Sequence, residues 1–197
     1  MNNLSELLAK KLDFPRAHRS ARQEIADWVL DHPETFPDLL GFCFNIQLSI
    51  SHKAAWILEL VCSENINLLL PYLDDFFKNA PNIKKDQAIR PFSKICMMLA
   101  THYYKKKDVT VIKALCDTNK NAMIECCFDW LISDQKVATE AYSMTTLYLL
   151  GTEVDWIHSE LITIIEQHIN SKTAAYKSRG RITIDQIKKY RLKNLKA

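Results

Sequence analysis

The chain has 197 residues, 48% of them hydrophobic and 25% charged, which suits one globular domain with a sizeable core. Three glycines and six prolines are too few for the turns of a sheet protein or for the glycine-rich loops of α/β nucleotide folds, so the chain reads as all-α. No apolar run reaches the roughly 18 residues of a spanning helix. Met1 to Lys11 reads as a short amphipathic helix and not as a signal peptide, so the expected location is cytoplasmic.

Six cysteines, at 43, 62, 96, 116, 126 and 127, form no CxxC and sit in mostly apolar helical stretches, where they are expected as reduced core thiols. Charge is unevenly spread. Residues 172–197 hold nine Lys/Arg against the single acid Asp185, whereas residues 1–171 hold 17 bases and 22 acids. Within one domain, an acidic body (1–171) carries a basic C-terminal tail (172–197) that packs as a cap.

In chain order, residues 2–11 form a weak first helix that Phe14-Pro15 breaks. Arg16 to Leu30 follows, with Ile25, Trp28 and Val29 inward and Arg16, Arg19 and Arg22 outward. Asp31-His32-Pro33-Glu34 stops that helix and opens Phe36 to Asn45. Ser51 to Asn65 buries two sides, Ala54, Leu58, Val61 and Cys62 on one and Trp56, Ile57 and Leu60 on the other. Ile66 to Asn79 comes next, with Pro71 at the start of its packed part. Asp86 to Lys107 carries the stripe Phe92, Ile95, Met98, Leu99, and Pro91 is either in its first turn or at a kink. Val109 to Cys116 is a short helix or an ordered loop, and Thr118 or Asn119 opens another helix.

Cys126 to Gly151 is the stretch around which the rest is organised. It reads as two helices joined at a hinge, with Ser133 or Asp134 capping the second. That helix aligns Val137, Ala141, Met144, Leu147 and Tyr148 on one face, and its small Ala138, Thr139 and Ala141 admit a close neighbour. Gly151 terminates it, and Thr152-Glu153-Val154-Asp155 is a capping-box-like start for a helix to about Ile169. Residues 172–179 read as a short helix closed by Gly180. Thr183 with Gln186 then caps a last helix through Leu195.

Sliding the chain on itself by 86 residues aligns Ala55-Trp56 with Ala141-Tyr142, Leu58 with Met144 and Val61 with Leu147. Half that shift, about 43 residues, is the period of HEAT or armadillo helix pairs. The segment Asp134-Gln-Lys-Val137-Ala-Thr-Glu-Ala141 resembles the inner part of a HEAT repeat, although Ala138 stands where an Arg would supply the inter-repeat ladder. Four stretches, KAAWILELVCSENINLLLPYLDDF, RPFSKICMMLATHYYKKKD, ECCFDWLISDQKVATEAYSMTTLYLLGTEVDWIHSEL and AAYKSRGR, resemble a family of small HEAT-like helical-repeat proteins from Bacteroidota. The resemblance runs from about Arg16 to Lys189. It implies a right-handed superhelical stack of antiparallel helix pairs. Members of that family often carry the label adenylosuccinate lyase. The lyase loop SSxMPxKxN has no counterpart, since Ser143-Met144-Thr145 lies inside a helix and lacks the Pro, Lys and Asn, so lyase activity is not expected.

Three Asp-Trp pairs, at 27–28, 129–130 and 155–156, raise a comparison with AlkD-like DNA glycosylases, which are similar in architecture and set a carboxylate beside aromatic residues in a groove. Against it stands the simpler reading that each Trp anchors a helix pair while the Asp faces solvent. The six histidines form no HExxH and no i,i+4 pair, so neither a metal nor another cofactor is expected, and no catalytic residue is assigned. Tyr103-Tyr104 beside Lys105-Lys106-Lys107 suits base stacking or an ordinary helix end. The tail is the best interaction signal, with Lys177, Arg179, Arg181, Lys188, Lys189, Arg191 and Lys193 joined by the Arg16, Arg19, Arg22 cluster. The leading expectation is a non-catalytic scaffold for a protein partner. The alternative is nucleic-acid binding through these bases, with glycosylase-type base removal as its extension. Large apolar anchors are too few for a membrane partner.

Overall fold

The computed structural model describes residues 3–15 and 18–195, and among them every regular element is helical. The α-helices are α1 (Asn3–Leu12), α2 (Arg19–Asp31), α3 (Phe36–Phe44), α4 (Ser51–Glu64), α5 (Leu73–Asn79), α6 (Asp86–Ala100), α7 (Val109–Ala114), α8 (Asp117–Ile132), α9 (Val137–Leu150), α10 (Asp155–His168) and α11 (Ala174–Asn194). A π-helical turn, Thr101–Lys106, extends α6. One row of neighbours runs through the molecule: α2 packs on α4, α4 on α6, α6 on α9 and α9 on α11. The remaining main contacts add a second set, with α3 on α4, α5 on α8, α8 on α9, and α10 on α9 and α11. None of the described helices is long and apolar enough to cross a membrane.

The hydrophobic pattern sets this arrangement. In α6, Phe92, Ile95, Cys96 and Leu99 recur at helical spacing and are fully buried, with Phe92 stacked on Phe76 of α5 at 4.8 Å. Helix α9 lies among four neighbours and buries Thr139, Glu140, Ser143 and Thr146 along with Met144, Leu147, Leu149 and Leu150. It starts at Val137 and α4 at Ser51, the same 86-residue offset as the internal match.

Several helix ends differ from the expected ones. Helix α9 takes Lys136 as N-cap without a side-chain cap, and Asp134 instead lies in the left-handed region at φ 53° with its carboxylate on Lys172. Val154, not a capping box, precedes α10, while Thr152 Oγ1 donates back to the Leu149 carbonyl. Pro91 is inside α6. Asp108 caps α7 by accepting from the Thr110 amide at 3.0 Å. The tail is one helix, not two: Thr173 caps it, and Gly180 is an interior residue. Gly180 is needed there for closeness, because an added Cβ would stand 2.7 Å from Ile165 Cγ2 of α10.

All six cysteines are free, and five are buried; Cys116, just before α8, is the exposed exception to the expectation of core thiols. Burial pushes the Cys43, Cys62 and Cys96 thiols far up and Cys126 to about 12, which removes them as nucleophiles at neutral pH. A thiol reagent added to native protein is accordingly expected to modify Cys116 quickly, and all six only after unfolding. Rapid native modification of a second thiol would contradict the packing of α3, α4, α6 and α8.

Candidate anion-binding groove

The groove begins with a missing hydrogen bond. Pro91 has no N–H, so the Gln87 carbonyl one turn earlier in α6 has no intrahelical partner. The indole of Trp56 on α4 donates to that carbonyl at 2.8 Å. This contact fixes the Trp56 ring across the α4–α6 seam, where His52 meets it edge-on at 5.1 Å and the Arg22 guanidinium of α2 lies 5.5 Å from its centre. Trp56→Phe is expected to cost about 1 kcal/mol in the natural background and less in Pro91→Ala, where a restored N–H takes over the carbonyl. Equal costs in both backgrounds, read from urea midpoints, would refute the link.

One turn along α4, Glu59 enters a seam it can occupy only with partners. The residue is 5% exposed, and its carboxylate takes Arg90 Nη2 on one oxygen and Lys94 Nζ on the other, each at 2.8 Å. Arg90 and Lys94 stand four apart on α6, so one face of that helix supplies both cations. Two adjoining hollows of about 470 and 310 Å³ open above this triad. Arg22, Trp56 and Arg90 line both. Arg19, Glu59, Leu60 and Lys94 complete the first; Asp86, Gln87 and Lys136 complete the second. Five basic side chains thus face two acids. Arg19, Arg22 and Lys136 enter no ion pair among the described residues, and the Arg22 Nε is buried without a hydrogen-bond partner. The first turn of α6 and the N-cap residue of α9 also line the second hollow, so the positive end of the α6 dipole lies at it.

A parallel arrangement recurs farther along the row. Glu140 of α9, 2% exposed, takes Lys172 Nζ at 2.8 Å from the segment just before α11, and Lys172 also holds Asp134. In both places a buried Glu on one helix is tied by a cation from a neighbouring element of the row.

The structure divides the expected site residues into separate groups. Arg16 lies outside the described residues. Arg19 and Arg22 sit on α2 at one end of the helix row, and Arg22 covers Trp56 rather than facing solvent freely. The tail bases sit on α11 at the other end. Lys177 and Arg179 are half-buried, whereas Arg181, Lys188, Lys189, Arg191 and Lys193 are exposed. Arg191 donates to Ser159 Oγ at 2.9 Å, and none of the seven forms an ion pair among the described residues. The opposite face of α11 packs on α9 and α10, with Tyr176, Thr183, Ile184 and Ile187 buried.

The Asp-Trp pairs do not converge. Asp27, Asp129 and Asp155 are all exposed, Trp130 is buried, and Trp156 is 55% exposed. Tyr104 donates to Glu153, and Lys120 bridges Glu153, Asp117 and the Tyr103 hydroxyl, so both tyrosines brace the π-helical turn against α8. Burial and the facing Glu153 carboxylate hold the Tyr104 phenol well above its usual range. Sequence reasoning missed Trp56, Glu59, Arg90, Lys94 and Lys136 as a group. The available signal was Glu59 itself, a charge inside the apolar run Trp56-Ile57-Leu58-Glu59-Leu60-Val61. No family model, curated protein or solved structure matches this chain.

Proposed function

We propose that the protein is a non-catalytic HEAT/armadillo-type helical-repeat module, a right-handed superhelical stack, that binds a nucleic-acid backbone in the groove between α2, α4 and α6. The observation that carries this reading is the set of five basic side chains at one seam, three of them without an ion-pair partner among the described residues. Arg90 and Lys94 are held in place by the buried Glu59, so their ordering cost is already met before a phosphate arrives. Arg19, Arg22 and Lys136 supply free charge to either side. Phosphate contact by such a set is electrostatic and independent of sequence. Glu59, the groove's buried carboxylate, is engaged by two cations, so no base-removal chemistry is assigned to it.

The test is fluorescence anisotropy of labelled duplex and single-stranded DNA and RNA over a salt series. Binding is expected at low salt, with log K falling linearly in log salt by about 0.9 for each duplex phosphate contacted. Absent binding, or binding indifferent to salt, would overturn the reading and return the groove to a protein partner.

A further inference from the structure

An apolar strip on α8 and α10 is left uncovered. Trp156, 55% exposed, stacks on Phe128 at 5.6 Å, and Ile132, also 55% exposed, follows Phe128 by one helical turn. Glu125, Asp129 and Asp155 stand within a turn of these residues; all three are exposed, and none forms an ion pair among the described residues. The outer face of α11 has the opposite character. Ile182, Leu192 and Leu195 are 45%, 59% and 83% exposed, Arg181, Lys188 and Lys189 lie beside and between them along the helix, and these three bases form no ion pair among the described residues; Asp185 is the one acid of the helix.

We propose that the Phe128–Ile132–Trp156 strip receives the outer face of α11 from a second copy of this chain. Each surface offers the other exposed apolar side chains interspersed with charge of the opposite sign, a complementarity that selects a partner and fixes its orientation. The wider charge distribution favours the same pairing, with 22 acids against 17 bases in the body and nine bases against one acid in the tail. Within one molecule α11 cannot satisfy the strip with this face, because its other face is committed to α9 and α10. Every copy carries both surfaces, so two such contacts close a dimer, or a head-to-tail series grows.

Sedimentation of the full chain over a concentration series reads this directly. Species above the 22.8 kDa monomer are expected at low salt, receding as salt is added. Trp156→Ser with Ile132→Ser changes two exposed side chains and is expected to leave a folded monomer. Asp129→Lys with Asp155→Lys weakens association, and adding Lys188→Glu with Lys189→Glu restores it by swapping the charges. A monomer at every concentration overturns the proposal, as does association that Trp156→Ser/Ile132→Ser leaves intact or that the charge swap does not restore. If the monomer's α11 instead bound anionic vesicles or duplex through Lys188 and Lys189, that face would belong to an anionic surface and not to a second copy.

Discussion

Lys172→Met is expected to lower stability by about 3 kcal/mol at neutral pH, because it strands a carboxylate inside the molecule. Glu140 sits on α9, the helix with neighbours on four sides, and is 2% exposed. Lys172 Nζ, 2.8 Å away, is its ion-pair partner among the described residues. Burial already raises the Glu140 pKa, and the Lys172 charge works against that rise. Without the lysine the folded-state pKa climbs further above the unfolded value. The sign of the pH dependence follows. The folded variant retains a proton that the unfolded chain has released, so stability is fully present below the unfolded pKa and is lost as pH rises through the folded one. The deficit relative to the natural protein should therefore be largest near neutrality and shrink on acidification. Lys172→Met with Glu140→Gln should recover most of the loss at pH 7. A loss independent of pH, or no recovery in the double variant, would mean that Lys172 acts through packing alone.

Gly151→Ala is expected to cost about 3 kcal/mol, for a reason that backbone conformation does not supply. Gly151 has φ −66°, available to any residue. The constraint is His158, whose ring would stand 2.2 to 2.9 Å from an added Cβ. That ring cannot easily move. It is 2% exposed, its Nε2 hydrogen-bonds the Tyr148 carbonyl at 2.9 Å, and Tyr148 and Tyr190 pack on it at 5.7 and 5.4 Å. Gly41 is the internal comparison. It lies within α3 with nothing within 4 Å of a built Cβ, so Gly41→Ala should stabilise by about 0.5–1 kcal/mol through backbone entropy. Denaturant midpoints moving in opposite directions for the two alanines would support the account; a harmless Gly151→Ala would refute the contact with His158.

These positions show which features the sequence made legible. Helix spacing in Phe92, Ile95 and Leu99, or in Met144 and Leu147, is a local property, and it located the helices and the central place of α9. The 86-residue self-match likewise marked α4 and α9, whose first residues are that far apart. Helix ends were less legible, because tertiary contacts outweighed local capping rules. Gly180 looked like a stop signal and proved to be a point of close approach to Ile165, while Asp134 looked like a cap and went to Lys172. The groove was harder still. Arg22, Trp56, Glu59 and Arg90 come from three helices and Lys136 from the N-cap of a fourth, and only the folded row of α2, α4, α6 and α9 brings them together. The tail drew attention because its charge is contiguous in sequence, whereas the groove's charge is contiguous only in space.

One comparison tests the groove most directly: duplex DNA anisotropy for Arg19→Glu/Lys136→Glu beside Lys188→Glu/Lys189→Glu, at matched salt. All four residues are exposed and form no ion pair among the described residues, so both variants should fold. The account predicts that the groove variant loses roughly tenfold or more in affinity and that its salt slope becomes shallower by about two, while the tail variant keeps most of its binding. Loss confined to the tail variant would contradict it and move the phosphate contacts to α11.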